Sequence, residues 1–264
     1  MEKCGNYFIE PLCKIGKGAF GYVEKMRLYN SNKHLCGEYA RKVFNPEPDI
    51  LEKVTEEELK RRFKREILYQ ANLFSKNIVP IYLFDDRVTH PYFVMSLAEG
   101  DLDSDLEAGL LFAEDKIKCI NDILNGVEAV HEKGYLHRDL KPQNILRYSE
   151  TCDQKSKTKE LCYKVSDFGL VKDTKPDADS TVLTAIGTCM GSRPYMAPEA
   201  QLFGEYSIQS DIYSIGKIIK DIGFNNTEVE KVISRCLLME KSQRYRSVTD
   251  LKLELNKALL CTAA

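Results

Sequence analysis

The residues best suited to chemistry begin with Ile15-Gly16-Lys17-Gly18-Ala19-Phe20-Gly21-Tyr22-Val23, a glycine-rich turn between two strand-like runs. Glycines there let backbone amides approach a polyphosphate closely, because no side chain intervenes. The pattern alone also marks dinucleotide folds and plain hairpins. A strand rather than a helix follows it, which argues against a dinucleotide fold. Lys42, in Tyr39-Ala40-Arg41-Lys42 on the next strand, can reach the α- and β-phosphates of such a ligand. Standing alone, it reads equally well as an exposed strand lysine. Glu66, on a helical stretch, could pair with Lys42, although a lone helical glutamate is more often a solvated surface residue. Further on come His137-Arg138-Asp139-Leu140-Lys141-Pro142-Gln143-Asn144-Ile145-Leu146, Asp167-Phe168-Gly169 and Ala197-Pro198-Glu199. Ser210-Asp211-Ile212-Tyr213-Ser214-Ile215-Gly216 and Arg244 complete the series.

In this order and context, these blocks resemble the protein kinase family, from about Phe8 to Leu259. The resemblance implies ATP and Mg²⁺ as cofactors and protein substrates as partners. Phosphoryl transfer is mostly positioning and charge neutralisation. Asn144 and Asp167 are then the hard oxygen ligands of Mg²⁺. Asp139 accepts or orients the proton of the substrate hydroxyl, and Lys141 neutralises the transferring phosphate. Lys42 holds the phosphates and Glu66 holds Lys42. Ile15, Gly16, Gly18 and Gly21 cover the nucleotide. Val23, Ala40 and Leu146 sandwich adenine. Met95 falls at the gatekeeper position, and the backbone from Ser96 to Ala98 bonds the adenine edge. A lysine at position 141 implies a serine/threonine kinase, and Ser192 keeps the small hydroxyl such enzymes carry before Ala197-Pro198-Glu199. Glu199 with Arg244, and Asp211, correspond to structural anchors.

The resemblance also frames regulation. Arg138 before Asp139 implies a catalytic loop that senses phosphate on the activation loop, where Thr181, Thr184 or Thr188 are the expected sites of autophosphorylation. Thr174 and Ser180 are further hydroxyls in that loop. Three departures stand out. Asp139 and Asp167 are 28 positions apart, longer than the family pattern, and residues 148–160 account for the excess. Only 45 positions separate Glu199 from Arg244, so a helix that often docks substrates and partners is expected to be missing or reduced to a turn. Gln70, one turn after Glu66, replaces an apolar residue. A polar group buried there without a partner would weaken the active helix position, so Gln70→Leu is expected to raise basal activity and a regulatory partner is possible.

Residues 7–15, 21–28 and 38–44 are strand-like, and 51–74 has a helical pattern in which Leu59, Phe63, Ile67 and Leu68 can share a face. Residues 78–84 and 92–97 are two more strands. Residues 114–131 place Ile117, Ile120, Ile123, Leu124 and Val127 at helical spacing, with Gly134 closing the helix. Residues 208–222, 228–238 and 248–260 are further helices. Residues 148–160, polar and lysine-rich, read as a flexible surface loop that bulges away from the ATP site. The expected architecture is α+β: a two-lobed protein kinase-like fold in one domain over 1–264. A small antiparallel-sheet lobe plus helix spans about 7–96, and a shortened, large helical lobe spans 97–260.

The bulk numbers agree with this class. The chain has 264 residues, 43% hydrophobic and 30% charged, which is ordinary for a globular protein. A net charge of -2 argues against nucleic-acid binding by bulk charge. Nine cysteines without a CxxC pair suggest reduced thiols and a cytoplasmic setting. No stretch of 18 apolar residues could span a membrane. Cys261-Thr262-Ala263-Ala264 fits a prenylation box poorly and reads as a frayed helix end. A scaffold without turnover is one competing reading, but Lys42, Glu66, Asp139, Asn144 and Asp167 are all present; a small-molecule kinase of the antibiotic-phosphotransferase type is another, and Ala197-Pro198-Glu199 with the segment before it argues against that.

Overall fold

The computed structural model describes residues 1–18, 20–52, 54–151, 159–173 and 194–260. The chain forms two compact units, Met1–Phe74 with Val79–Ala98, and Ser75–Ile78 with Glu99–Ala264.

The first unit is a six-stranded antiparallel sheet with a helix on one face. Its strands are β1 (Glu2–Cys4), β2 (Tyr7–Gly18), β3 (Gly21–Tyr29), β4 (Leu35–Phe44), β5 (Ile81–Asp85) and β6 (Tyr92–Ser96). They lie in the order β1-β2-β3-β4-β6-β5. The alternation of side chains along a strand separates two faces. Phe44 and Phe93 meet Phe63 of the helix, with ring centroids 5.6 Å apart in both pairs. Met26, Leu28, Val43, Tyr92 and Val94 form a second buried cluster with Cys4 and Ile9. Strand β1 was not foreseen. It adds Cys4 to that cluster, and Glu2 joins Glu24 in pairing with the buried Arg41.

The helical run expected over 51–74 is two pieces, α1 (Pro48–Leu51) and α2 (Glu56–Ala71). The break has a local cause: Thr55 is extended and caps α2, its hydroxyl accepting the Glu58 N–H at 3.3 Å. Glu56, Glu57 and Glu58 then suit the positive end of the helix dipole. Leu59, Phe63 and Ile67 are buried as expected, but Leu68 is 57% exposed. It falls about 100° around the helix from Ile67, outside the stripe that meets the sheet.

The expectation for Gln70 is also corrected. It is buried at 2% exposure, but its Nε2 donates to the Val79 carbonyl at 2.7 Å. The side chain therefore ties the end of α2 to the segment leading into β5 rather than leaving an unpaired polar group.

The second unit is built on helices α3 (Leu102–Glu107), α4 (Ala113–Glu132), α5 (Pro198–Phe203), α6 (Ile208–Ile222), α7 (Thr227–Cys236) and α8 (Val248–Leu260). Ile120, Ile123, Leu124 and Val127 of α4 are buried, whereas Ile117 is exposed near its first turn. Gly134 closes α4 at φ +77°, its N–H bonding the His131 carbonyl at 2.9 Å. A capping box between Ser207 and Ser210 starts α6, and Asn226 caps α7 by accepting from the Glu228 and Val229 N–H groups.

Between α6 and α7 there are only residues 223–226, with Gly223 at φ +72°. The expected missing helix is thus a four-residue turn.

The loop reading of 148–160 is overturned at both ends. After the two-residue strands β7 (Gly100–Asp101) and β8 (Tyr135–Leu136), strands β9 (Ile145–Thr151) and β10 (Lys159–Val165) pair antiparallel from Ile145–Val165 out to Thr151–Lys159. Tyr148 is buried, and Lys164 lies over its ring and bonds Glu150 at 2.6 Å. Cross-strand pairing supplies the partners that polar composition alone does not reveal. Residues 152–158 and 261–264 lie outside the described residues. So does the rest of the expectation for that insert and for Cys261.

The strand expected from residue 78 starts at Ile81. Pro80 has no N–H to give a ladder, and Ile78 instead bridges Val165 of β10.

Replacing Gln70 with Leu removes the only hydrogen bond that its side chain makes among the described residues and leaves the buried Val79 carbonyl without that donor. Gln70→Leu is expected to lower unfolding stability by about 1–3 kcal/mol. Urea unfolding followed by circular dichroism measures this, and an unchanged midpoint contradicts it.

Candidate active site

In the first unit, pleat alternation puts Lys42 of β4 on the α2 face, where its Nζ lies 2.6 Å from Glu66 Oε1. Glu66 is nearly buried at 3% side-chain exposure, so a charged partner is needed there. Gly18 pairs with Gly21 and Gly16 with Val23 across the β2–β3 turn. Gly21, at φ +151°, is required by the fold, since an added Cβ would lie 1.9 Å from the Val43 carbonyl oxygen. Gly16 and Gly18 are not so constrained: a Cβ on Gly18 meets nothing, and one on Gly16 makes ordinary contact with Val23. Packing within the sheet therefore does not explain glycine at those two positions.

The remaining first-unit candidates share this sheet. Ile15 is exposed, Val23 half-buried and Ala40 buried. Ala40 pairs in register with the buried Met95. Ser96 ends β6, its hydroxyl 2.9 Å from that of Tyr82, and Ala98 ends the unit.

The second unit gathers Asp139, Lys141 and Asn144. Lys141 Nζ lies 2.8 Å from Asp139 Oδ2. Asn144, in a tight turn over Pro142–Asn144, donates from Nδ2 to the Asp139 carbonyl at 2.8 Å and to Asp139 Oδ2 at 3.1 Å. The backbone beneath them is held by the buried Asp211. Its Oδ1 accepts from the Arg138 N–H and its Oδ2 from the His137 N–H, both at 2.9 Å. These bonds pin a loop in which Arg138 adopts φ +71°, a conformation that bulky residues rarely take.

His131, at the end of α4, bonds Asp211 Oδ2 through Nε2 at 2.8 Å. Sequence reasoning missed His131, and its bond to a residue 80 positions away left no local signal. Burial alone would raise the Asp211 carboxyl, but the His131 bond and the loop amides outweigh it and hold it below its ordinary range.

Ser166 links the two expected metal ligands. Its N–H and hydroxyl both donate to the Asn144 carbonyl, at 2.9 and 3.0 Å, and its own carbonyl faces His137 Nε2 at 3.0 Å. Asp167 follows directly, at φ +61°. With Asn144 Nδ2 engaged by Asp139, Asn144 Oδ1 and the Asp167 carboxylate are hard oxygens of the kind a divalent cation takes. Among the described residues no group of three or more His, Cys, Asp or Glu forms a metal cage. Two protein oxygens suit a divalent cation that takes its other ligands from phosphates and water. Leu146 lies half-buried on β9, opposite Lys164.

Arg244 and Glu199 form a bidentate pair, Nη1–Oε1 and Nη2–Oε2 both 2.8 Å. Arg138 stacks over Tyr206 at 3.9 Å. Thr174, Ser180, Thr181, Thr184, Thr188 and Ser192 lie outside the described residues.

Residues 9–256 match the family model described as protein kinase domain. The chain belongs to the protein kinase family. It is 31% identical over 221 residues to a probable serine/threonine-protein kinase of Clostridium perfringens, covering 83% of this chain and 29% of that protein. A CDPK-related protein kinase of Daucus carota is 34% identical over 221 residues, covering 82% and 33%. A serine/threonine-protein kinase of Homo sapiens is 32% identical over 220 residues, covering 83% and 19%. The chain thus spans a third or less of the length of these curated relatives. The family uses ATP and a divalent metal. Among the described residues no helix is long and apolar enough to cross a membrane.

His137 connects this kinase site to pH. It is fully buried, and burial pushes its pKa below the ordinary 6.5 despite the nearby Asp211 and Asp139. Below pH 6.5 the unfolded chain binds a proton that the folded chain refuses, so stability is full above that pH and is lost as pH falls. The lowered carboxyls of Asp211 and Glu199 act in the same direction further down: their contribution is present above the ordinary carboxylate range and is lost through their lowered values. Urea unfolding is expected to weaken by up to about 1.4 kcal/mol per pH unit just below pH 6.5. A stability that is flat between about pH 7.5 and about pH 5.5 contradicts this.

Proposed function

We propose that this chain is a serine/threonine protein kinase that transfers the γ-phosphoryl of ATP to serine or threonine hydroxyls of protein substrates. The observation that carries the reading is the Asp139 carboxylate, held against Lys141 at 2.8 Å and Asn144 at 3.1 Å on a loop anchored by Asp211. Asp139 orients the acceptor hydroxyl and takes up its proton as its oxygen bonds the γ-phosphorus and the bond from that phosphorus to the departing ADP oxygen breaks. Lys141 neutralises the oxygens of the transferring group, and its ammonium is the feature that favours serine and threonine over tyrosine.

Lys42, oriented by Glu66, holds the α- and β-phosphates, while Ile15, Gly16, Gly18 and Gly21 bring backbone amides to the polyphosphate. Val23, Ala40, Met95 and Leu146 supply apolar contacts to adenine, and the Ser96–Ala98 backbone supplies its hydrogen bonds. Asn144 and Asp167 are the proposed ligands of Mg²⁺, which neutralises phosphate charge when bound.

The reading extends to autophosphorylation at Thr181, Thr184 or Thr188, and to a single kinase domain in a cytoplasmic setting without a nucleic-acid partner. The four-residue turn after α6 supports substrate or regulatory docking on a surface other than the usual helix.

Incubating the chain with Mg-ATP labelled at the γ-position and a generic basic protein tests this. Label is expected on serine and threonine, and Asp139→Asn is expected to reduce transfer by about 10²–10⁴-fold. Absence of transfer by the wild type, or equal transfer by the variant, refutes the reading. Mass spectrometry of the wild type against Asp139→Asn locates any self-modification.

A further inference from the structure

Glu99 directly follows the Ser96–Ala98 backbone, and both of its polar backbone groups go to one residue of β9. Its N–H donates to the Arg147 carbonyl at 2.9 Å, and its carbonyl accepts from Arg147 Nη2 at 3.4 Å. Its carboxylate accepts from the Ser149 hydroxyl at 2.8 Å. Arg147 and Ser149 are alternate residues of a strand and share a face. Strand β7, which follows Glu99, is only Gly100 and Asp101, paired with Arg147 and Leu146. So short a ladder secures little by itself.

Arg147 is in turn fixed by a buried network. Its Nη1 bonds Asp105 Oδ1 on α3. Asp105 is 1% exposed, and its other oxygen accepts from the Tyr163 hydroxyl at 2.7 Å. Tyr163 is buried on β10, and burial together with that bond raises its pKa, so it stays a neutral donor. Its N–H donates to the buried Asp122 of α4 at 3.0 Å. A buried carboxylate is costly unless an opposite charge and hydrogen bonds compensate it, which here requires the Arg147 guanidinium in one place. Gly100 leaves room for that group: a Cβ there would lie 3.1 Å from Arg147 Nη2.

We propose that Arg147, oriented by Asp105, is a positioning residue for the adenine-edge segment Ser96–Ala98. A planar guanidinium holds its donors in fixed directions, so Nη1 on Asp105 dictates where Nη2 meets Glu99. Hydrogen bonds from backbone to a base need that backbone in one place, and Glu99 is where its exit is set. The inference rests on the nucleotide part of the kinase reading. Its consequence falls on the base rather than on the transferring phosphate, so affinity changes and the chemical step does not.

The test uses the full chain as wild type, Arg147→Met and Arg147→Lys. Binding of Mg-ATP and of adenosine is measured by titration calorimetry, and transfer to a generic basic protein gives kcat and KM. Arg147→Met is expected to weaken both ligands by the same factor, about 5–20-fold. KM for ATP is expected to rise alike, with kcat at saturating ATP within about twofold of wild type. Arg147→Lys keeps a charge for Asp105 but lacks the fork, so an intermediate loss is expected.

Arg147→Met leaves Asp105 buried without its cation. If that variant does not fold, the double variant Asp105→Asn with Arg147→Met carries the comparison, since it removes both charges and keeps an acceptor for Tyr163. Unchanged affinity for both ligands, a loss confined to ATP, or a lowered Tm and kcat with KM unchanged overturns the proposal. A wild type that binds no adenosine overturns it as well. Arg147-dependent adenosine binding in a chain that transfers no phosphoryl leaves the proposal standing and refutes the kinase reading. Transfer by a chain whose adenosine affinity ignores Arg147 overturns this inference alone.

Discussion

The Asp211 carboxylate is the constraint on which the catalytic half of the second unit depends. It is a buried anion that accepts from two consecutive backbone amides and from the imidazole of His131. Consecutive N–H groups do not converge on one carboxylate in ordinary extended backbone, so the loop must bend, and Arg138 takes a left-handed conformation as a result. The bend presents Asp139 toward Lys141 and Asn144. Without that anchor, a short polar loop would gain more from water than from this geometry. The anchor is in turn braced by α6, whose N-terminal turn carries both Asp211 and the Ser210 hydroxyl that bonds Glu199. Glu199 holds Arg244, so one helix start joins the catalytic loop to the ion pair that secures the rest of the unit.

In the first unit the corresponding role belongs to α2. Its apolar stripe of Leu59, Phe63 and Ile67 sets its rotation against the sheet. Glu66 then points to Lys42, and Gln70 to the Val79 carbonyl. A polar residue in place of an apolar one does not loosen the helix here, because the carbonyl it meets would otherwise lack a donor. The same rotation buries Arg62 beside Glu58, whose Oε1 accepts from Arg62 Nε at 3.1 Å.

The shortened region after α6 shows how little a missing helix disturbs the core. Gly223 ends α6 and Asn226 caps α7 almost at once. Ile212, Ile215 and Ile219 of α6, Val229 and Ile233 of α7, and Leu251 and Leu255 of α8 are buried on both sides of the turn. What is lost is external surface rather than packing.

Much of this protein was legible in the sequence. The glycine-rich turn, the catalytic-loop block and the residues around Asp211 and Glu199 identified the family. The bounds of α6 and α8 were also legible, because helical periodicity acts within a few residues. Errors arose where a distant partner decides the outcome. Polar residues 148–151 and 159–160 became strands because each supplies the other's ladder. Gln70 was read as a liability because Val79 lies beyond its helix. His131 went unnoticed because Asp211 is 80 positions away. The chemical groups and their order can be read from the residues alone. Which buried charges and amides find a partner is settled only on folding, because hydrogen bonds between distant residues leave no periodicity to read.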